Sequence, residues 1–530
     1  MKKLVSIVCA SLISLSILPI KSNAVVQKKL PAKDVLNLAL SSEVYLDSTI
    51  TTDDASFDVL DDVMEGLFFL DSKNELKPGL VANYKVSSDL KTYTFSLRKS
   101  RWSDGTQVTA HDFVYAWRKV VNPRTAAAYS FLMSSIKNGD DIINGILPVD
   151  KLGVKAIDNQ TLQVQLENPT PYFLSLLAFP TFYPQKESFS KKHSDDYGVA
   201  ASTTLFNGPF IVKTWNYNKS IKLVKNSFYW DQKAVKIKEV NLSIIPNENT
   251  MYSMYSKGKL DRIILGSTLY STAKNRKDLK QQLEQTSFYL KTNLKNKALN
   301  NLDIRKAIAL TLDKSKLSEG TFNSALNTIV PKGLSYNKGI DFSSINQSIL
   351  LKDSQKAKEY WQKGKSQLNS DTIKLNLLVS DTSLSILYGK RIKQQLESNL
   401  ENLVINVKAV PFSQLLEKDY MKDYDLITFG WGPDYVDSST FLNLFTSNSG
   451  FNSTGYSNST YDNYIDLANK ETDLDVRWTY FLNAEKQLLD DTVIIPLYQR
   501  GIGVLQSSKL KGIYTVPFMN TTTLKWAVKS

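Results

Sequence analysis

Apolar and polar positions alternate along this chain in short runs with two recurring periods. A three-to-four-residue period predicts amphipathic helices at 59–69, 304–312, 384–400 and 475–489, with Asp303 as the cap of the second. The strand–helix–strand order at 374–410 predicts a βαβ unit, and residues 207–230 predict a hairpin, so the chain is an α/β protein. A two-residue or continuously apolar pattern predicts the following strands: 35–40, 91–97, 160–166, 210–215, 221–224, 240–245, 374–379, 403–410 and 493–498.

A tight turn leads into an aromatic-faced helix soon after residue 100. Ser103-Asp104-Gly105 is a turn tripeptide, in which aspartate bonds the following backbone and glycine accepts positive φ. Thr109 and Asp112 then have the spacing of a helix capping box. The pattern predicts a well-packed corner between a strand and a helix. The apolar side chains that follow fall on one helical face: Phe113, Ala116, Trp117, Val120 and Val121.

The chain has 530 residues, which is too many for one hydrophobic core and predicts two or three lobes. The sequence shows no internal repeat and no low-complexity linker, so we expect several chain crossings between the lobes. Lysine and arginine number 65 against 52 aspartates and glutamates, a net charge of +13. The densest basic stretch, 274–280, lacks the interleaved aromatic residues of a nucleic-acid platform. We therefore expect a solvated basic surface and no nucleic-acid partner.

The first 24 residues have the pattern of an export signal. Two lysines precede an apolar run at 4–18, and a small-x-small cleavage site ends at Ala24. Cleavage near Ala24 would leave a soluble exported protein, because no other segment approaches the roughly 20 apolar residues of a membrane span. The only cysteine, Cys9, lies inside the apolar run. It comes too early for a clear lipobox, so the mature chain is expected to carry no thiol.

The side chains on which enzymes depend are scarce in this sequence. The two histidines, His111 and His193, lie far apart in hydrophilic surroundings. The sequence has no Gly-x-Ser-x-Gly nucleophile motif, no spaced set of metal ligands and no glycine-rich phosphate loop. We therefore expect a protein that is not an enzyme and that needs no cofactor.

Residues 101–117 resemble the signature region of the peptide- and nickel-binding family (family 5) of extracytoplasmic solute-binding proteins, which deliver ligands to ABC importers. The resemblance spans almost all of the mature chain. The stretch from Gly430 to Tyr435 resembles the oligopeptide-binding branch in particular. The other segments that carry the resemblance are Asn207-Gly208-Pro209-Phe210, Asn226 with Tyr229-Trp230, Gly258-Lys259-Leu260-Asp261 and Asp303-Ile304-Arg305-Lys306-Ala307-Ile308.

The resemblance implies a two-lobed periplasmic-binding-protein-like fold with an additional third domain and the ligand enclosed between the lobes. Closure around the ligand would be a hinge motion. The implied divisions of the chain are a signal peptide at 1–24, lobe I at 25–56, 185–287 and 500–530, an extra domain II at 57–184, and lobe III at 288–499.

Asp434 is the expected partner of a peptide's α-ammonium group. Its local sequence also fits a type I turn, in which the aspartate serves geometry alone. In the oligopeptide-binding branch, however, an aspartate at this place holds the amino group, and a buried cation needs such a partner. Gly430, Trp431 and Gly432 are the expected docking strand for the peptide main chain. Trp431 fits a core position equally well.

A second docking segment is expected on the other lobe. The resemblance assigns it to Glu43, Val44 and Tyr45. It also places Tyr129 near the peptide N-terminus, although an ordinary packed tyrosine would fit the same pattern. Some relatives have an arginine shortly before the Gly-Trp pair, where this chain has none, so the partner of the peptide α-carboxylate stays open.

Two lysines upstream, Lys418 and Lys422, could reach that carboxylate or could simply be solvated. The overall prediction is an exported, monomeric solute receptor that captures oligopeptides in an extended conformation and delivers them to ABC permease membrane subunits. It would be extracellular, associated with the cell surface, or periplasmic. The alternatives are a peptide-sensing or adhesion protein, or a binder of dipeptide, nickel or haem on the same fold.

Overall fold

The computed structural model describes residues 31–519 and 521–530, so the predicted signal peptide and Cys9 lie outside the described residues. The α-helices are α1 (Asp54–Val63), α2 (Ala110–Val121), α3 (Gly139–Ile143), α4 (Phe173–Leu176), α5 (Glu187–Lys192), α6 (Glu248–Ser256), α7 (Tyr270–Ala273), α8 (Leu302–Thr311), α9 (Lys314–Ser318), α10 (Ser354–Leu368), α11 (Ser383–Asn399), α12 (Phe412–Tyr420), α13 (Ser439–Leu442), α14 (Ser459–Lys470) and α15 (Leu474–Asp490). The strands are β1 (Val35–Leu40), β2 (Phe68–Leu70), β3 (Leu76–Pro78), β4 (Val81–Val86), β5 (Thr92–Leu97), β6 (Val154–Asp158), β7 (Thr161–Gln165), β8 (Phe210–Asn216), β9 (Ser220–Lys225), β10 (Glu239–Ile244), β11 (Arg262–Leu265), β12 (Leu279–Thr292), β13 (Ser324–Ala325), β14 (Tyr336–Asn337), β15 (Ile340–Asp341), β16 (Ile373–Ser380), β17 (Leu403–Val410), β18 (Leu426–Trp431), β19 (Ile494–Gln506), β20 (Leu510–Lys511), β21 (Tyr514–Thr515), β22 (Thr522–Thr523) and β23 (Val528–Lys529).

Three larger sheets organise the described part of the chain, beside four two-stranded ones. The first has the strand order β1-β10-β9-β8, and the second has the order β4-β5-β7-β6. The third runs β11-β19-β12-β18-β16-β17, with β13 paired to β19. In this third sheet β12 and β19 are the long central strands, and β18 lies on the other side of β12 from β19. The end of β18 therefore lies beside the middle of β12 and level with the middle of β19, which is one strand further away.

Several sequence predictions are confirmed. The predicted hairpin is the antiparallel pair β8–β9, and β16–α11–β17 is a parallel βαβ unit. Thr109 begins α2 with a complete capping box, since its backbone N–H donates to Asp112 Oδ2 at 2.8 Å. The indole N–H of Trp102 donates to the same carboxylate at 3.2 Å. The turn and the aromatic-faced helix thus form one buried corner.

Two helix boundaries were predicted wrongly. The helix expected at 59–69 is α1, which begins five residues earlier and ends at Val63. It begins there because the Asp53 side chain accepts the Ser56 N–H at 2.9 Å, and the chain becomes extended after Val63 to enter β2. Helix α8 is capped by Asn301, whose side chain accepts the Ile304 N–H, and Asp303 lies inside its first turn.

Buried side chains form two large clusters that do not merge. The first core draws on residues 36–242 and 510–527, and the second core on residues 289–498. The loop after β18 contacts both, because Val436 packs against each cluster. Separate cores connected by strands and loops are typical of bodies that can move relative to one another. The domain boundaries predicted from the sequence remain a prediction.

Candidate functional site

Asp434 lies in the loop that follows β18, where the two cores meet. It is half-buried, and its side chain lines a cavity of about 300 Å³ between the cores. Leu132 and Leu176 of the first core and Leu444 of the second line the same cavity. The aspartate predicted from the sequence is therefore in a groove and not on the outer surface. Its position fits a role in ligand binding.

Thr440 holds the Asp434 loop in place. Its hydroxyl accepts the Asp434 N–H at 3.0 Å and donates to Asp434 Oδ2 at 3.3 Å. Burial raises the pKa of Asp434 to about 6, and only the Thr440 hydrogen bond opposes this shift. Within residues 31–519 and 521–530, no lysine, arginine or histidine forms an ion pair with this carboxylate. A cationic ligand group would therefore find a desolvated acceptor.

Two contacts fix the loop that carries Asp434. The ring of Tyr435 stacks on Tyr172 of the other body, with centroids 4.2 Å apart and planes 8° from parallel. Two residues further on, Asp437 accepts two hydrogen bonds from the Arg477 guanidinium at 2.7 and 2.8 Å. The first contact joins the two bodies and the second anchors the loop to α15. Neither pair could be predicted from the sequence, because the two partners of each are remote along the chain.

Trp431 ends β18 and lines the same cavity as Asp434. Its ring lies edge-on to Phe451 at 5.1 Å and packs beside the second core, so it does serve packing. It is only half-buried, however, and its indole Nε1 has no hydrogen-bond partner among the described residues. A buried donor without a partner is costly. Trp431 thus combines the two roles that the sequence left open.

One edge of β18 is open at its carboxyl end. The whole strand pairs with β12, from Leu426 to Trp431. Its other edge pairs with β16 only at Leu426 and Ile427. Within the described residues, no strand pairs with that edge from Thr428 onward. An extended ligand could add to it by main-chain hydrogen bonds alone.

The two glycines beside Trp431 differ in their surroundings. A Cβ on Gly430 would lie 2.7 Å from ring atoms of Phe288, so packing within the protein requires this glycine. A Cβ on Gly432 would meet only the Thr286 hydroxyl, at 3.4 Å. Gly432 is exposed, and the protein itself leaves room for a side chain there. If the main chain of a ligand packs close to Gly432, the absence of a side chain at this position serves ligand binding.

Tyr129 lies at the same meeting point. Its ring packs on Phe179 at 4.9 Å and on Phe57 at 6.0 Å, and it is half-buried. Burial raises the pKa of Tyr129, and the Asp434 and Asp54 carboxylates raise it further. Tyr129 therefore lies within electrostatic reach of Asp434, while its ring also serves the first core. Its place near a peptide N-terminus stays a prediction.

The segment from Glu43 to Tyr45 makes its polar contacts within the protein. Glu43 accepts the Trp215 indole N–H at 2.7 Å and also the Asn218 N–H. The Tyr45 N–H donates to the Ser56 hydroxyl at 2.7 Å, and its C=O accepts the Thr51 hydroxyl at 2.6 Å. Val44 is buried, so its side chain offers no ligand contact in this conformation.

The two upstream lysines lie elsewhere. Lys418 pairs with Asp423 at 2.7 Å, and Lys418 and Lys422 line a different polar cavity, together with Asn376 and Asp425. That cavity borders the beginning of β18, whereas Trp431 and Asp434 lie at its end. Neither lysine therefore lines the cavity of Asp434.

The described residues offer little for other chemistry. His111 is exposed, and His193 lies 3.3 Å from Asp196 against the ring of Phe189. Within residues 31–519 and 521–530, no group of three or more His, Cys, Asp or Glu side chains is arranged to hold a metal ion. Among the helices of these residues, none combines the length and apolar character that a bilayer crossing needs.

Known proteins and solved structures are similar to this chain over most of its length. A dipeptide-binding protein of Lactococcus lactis is 33% identical over 92% of this chain and 92% of its own length. The structure of Listeria monocytogenes OppA bound to peptide is 37% identical, with a TM-score of 0.75 over 94% of this chain and 100% of that one. The substrate-binding domain of an oligopeptide ABC transporter from Bacillus anthracis is 36% identical, with a TM-score of 0.77 over 95% and 100%.

The fold of this chain is that of these periplasmic-binding-protein-like structures, as the resemblance implied. The family match covers residues 75–453, which is more than half of the chain and includes Tyr129, Trp431 and Asp434. The chain belongs to the bacterial extracellular solute-binding proteins of family 5.

Proposed function

We propose that this protein binds peptides in an extended conformation between its two bodies and delivers them to the membrane subunits of an ABC importer. The single observation that carries this proposal is the Asp434 carboxylate, half-buried in the cavity between the cores without a cationic partner among the described residues. A peptide's α-ammonium group supplies that partner. The peptide relatives above support the same ligand class.

The open edge of β18 supplies the second part of the binding mode. Its N–H and C=O groups can pair with any peptide main chain, so affinity would not depend on one sequence. The Trp431 indole N–H would find an acceptor on the ligand, which removes the cost of an unpaired buried donor. Glu43, Val44 and Tyr45 would join the site only if the ligand or a change in conformation rearranged their internal hydrogen bonds.

The division into lobe I, domain II and lobe III, with the boundaries given above, is part of this proposal. So are export, cleavage near Ala24, a monomeric state and the absence of catalysis. The separation of the two cores and the cross-body stack of Tyr172 on Tyr435 support a hinge. Ligand contacts to both bodies would favour the closed form, which would then dock on the permease.

Protein purified from its own host provides the direct test. Native mass spectrometry should detect co-purified peptides, and they should be displaced by mild denaturation and rebound after refolding. Peptides incubated with the protein should be recovered intact. Cleaved peptides would contradict the non-enzyme proposal, and failure of every peptide in a mixed library to bind would contradict the function itself.

The two glycines provide a matched pair of variants. Gly432→Ala is expected to change stability by no more than about 0.5 kcal/mol but to weaken peptide binding, because the methyl group would occupy the space of the ligand backbone. Gly430→Ala should instead destabilise the fold by about 1–3 kcal/mol, because the new methyl group clashes with Phe288. Urea unfolding and calorimetric titration with peptide separate the two effects. Unchanged peptide affinity of Gly432→Ala would exclude a ligand backbone at this position.

A sensing role is the second candidate. The pheromone receptor PrgZ, whose peptide-binding structure is known, is 34% identical with a TM-score of 0.76 over 94% of this chain and 100% of its own. Peptide capture is common to both roles, so binding alone does not distinguish them. Uptake of labelled peptide by a deletion strain does: reduced uptake supports delivery, and undiminished uptake supports sensing.

A further inference from the structure

Arg500 is an exposed charge in the middle of a buried strand. It lies in β19, in which Arg500 is the only exposed residue and every other residue except the last is buried. Its side chain keeps 50% of its surface exposed. Half of this side chain thus remains accessible to solvent or to a ligand, although the strand around it is buried. The side chain lines a cavity of about 340 Å³, together with residues of the first core and of the segment 246–266.

A buried carboxylate holds Arg500 in position. Glu284, on the neighbouring strand β12, is only 3% exposed and lies 2.9 Å from Arg500 Nε. An arginine has five N–H donors in a fixed planar fork. Since Glu284 lies on the buried side and half of the arginine surface is exposed, the guanidinium retains donors that face the cavity. The pair therefore positions a cation for a ligand.

Three of the other charged groups that line this cavity, Arg262, Asp58 and Asp62, have partners within the protein. Arg262 is buried, and its guanidinium donates to the hydroxyls of Thr515 and Thr522. Asp58 and Asp62 accept the backbone N–H groups of Thr522 and Leu524. These bonds hold the C-terminal segment against α1.

Two further carboxylates, those of Glu248 and Asp54, line the cavity. Glu248 accepts the Gly266 N–H at 3.0 Å and the Thr268 hydroxyl at 2.8 Å. Asp54, at the start of α1, forms no ion pair within 4.0 Å among the described residues. Burial raises the pKa of Asp54 and nearby Arg500 lowers it. Asp54 thus faces Arg500 across the cavity without neutralising it.

The strand register places Arg500 near Trp431, the residue at which β18 ends and the Asp434 loop begins. Trp431 pairs with Ser287, and Ser287 pairs with Gln499, the residue before Arg500. Two strand spacings separate Trp431 from Gln499, which is roughly 10 Å. An extended tripeptide has about the same length, at roughly 3.3–3.6 Å for each residue.

Charged groups also connect the two cavities. Asp434 and Asp54 both raise the pKa of Tyr129, and Arg500 lowers that of Asp54. Tyr129 is therefore a neighbour of both Asp434 and Asp54, and Asp54 is a neighbour of Arg500. A short zwitterionic peptide in this region would find an anion at Asp434 and a cation at Arg500.

We propose that Arg500, held by Glu284, receives the α-carboxylate of a short peptide, of about three residues, whose ammonium group lies at Asp434. This inference rests on the proposed function. A guanidinium binds a carboxylate through two parallel N–H···O bonds, which discriminates a free C-terminus from an amide. Arg500 would thereby select peptides by length, whereas the edge of β18 does not distinguish their side chains.

The test compares free acids with amides. A mixed tripeptide library is offered to the protein, the captured species are identified by native mass spectrometry, and each is resynthesised with a free or an amidated C-terminus. For the free acid, Arg500→Gln should raise Kd by about tenfold to a hundredfold, as loss of a charge-assisted bond implies. For the amide, Kd should change less than about twofold. Arg500→Lys should give an intermediate loss for the acid, because lysine keeps the charge and loses the fork.

Two further variants protect this test against misfolding. The double variant Glu284→Gln with Arg500→Gln leaves no buried charge unpaired, and it should show the same discrimination as Arg500→Gln. Arg276→Gln removes a partly exposed arginine from an ion pair with Asp278 at 2.7 Å. Neither residue lines the cavity of Arg500 or that of Asp434, so this variant should change neither Kd. Equal losses for acid and amide, or no tripeptide captured by the parent protein, would overturn the assignment. If longer peptides still bind and depend on Asp434, the proposed function survives that failure.

Discussion

Asp434→Asn is expected to weaken peptide binding by about 2–5 kcal/mol, the usual cost of removing one partner of a buried charge pair. That loss corresponds to a Kd roughly 30- to 5000-fold higher. Asparagine keeps the size and the hydrogen bond to Thr440 but cannot neutralise the ligand's ammonium group. Isothermal titration with a peptide captured by the parent protein provides the measurement. A peptide whose amino group is acetylated should bind both proteins equally weakly.

The pH dependence of binding provides the control for this prediction. Burial raises the pKa of Asp434 to about 6, so the carboxylate of the free protein takes up a proton as the pH falls through 6. An ammonium ligand favours the ionised form, so peptide binding should release a proton there. The Kd of the parent protein should rise by up to about tenfold for each pH unit below 6. The Kd of Asp434→Asn should lack this dependence.

The same pKa shift predicts the effect on stability. A carboxyl group whose pKa is raised by folding destabilises the folded state above its unfolded pKa, because ionisation is harder in the fold. Asp434→Asn should therefore be at least as stable as the parent protein at pH 7. A variant that both unfolds more easily and binds normally would mean that Asp434 serves the turn alone.

Arg477→Met is expected to lower the free energy of unfolding by about 3–5 kcal/mol, because it leaves a buried carboxylate unpaired. Arg477 and Asp437 are only 7% and 12% exposed and share two hydrogen bonds. Urea unfolding followed by tryptophan fluorescence measures the change. Peptide affinity should fall as well, since Asp437 anchors the loop that carries Asp434 and Tyr435.

The partly exposed ion pair of Arg276 with Asp278 provides the comparison for Arg477→Met. Arg276→Met removes a pair with Asp278 whose side chains are 30% and 32% exposed, and it should cost no more than about 1 kcal/mol. Adding Asp437→Asn to Arg477→Met should recover part of the loss, because no buried charge is then left alone. If Arg477→Met costs no more than Arg276→Met, the buried pair does not stabilise the loop.

The local predictions succeeded where short-range physics decides the structure. The capping box at Thr109, the hairpin and the βαβ unit depend on neighbours in sequence, and all three are present. The helix at 59–69 was misplaced, because Phe68 and Phe69 have apolar side chains that fit either a helix or a strand. Pairing of β2 with β3 decides for the strand.

The candidate site was predicted only in part. The Gly430–Tyr435 stretch identified Trp431 and Asp434, which the structure places in one cavity. Nothing local distinguished the two glycines, because the difference between them is the Phe288 ring on another strand. Arg500 was missed although it is the one charged residue in an apolar run, a pattern that could have identified it.

By itself, the sequence determined the corner at Thr109, the hairpin, the βαβ unit and the chemical character of the groups at 430–435, since each depends on residues close together in the chain. Only the tertiary structure decided that Tyr172 stacks on Tyr435, that Arg477 pairs with Asp437 and that Glu284 holds Arg500. Those partners come from segments distant along the chain. Their contacts depend on how remote segments pack together in the folded chain, within one sheet, within one body or between the two bodies, which no periodicity within one segment encodes.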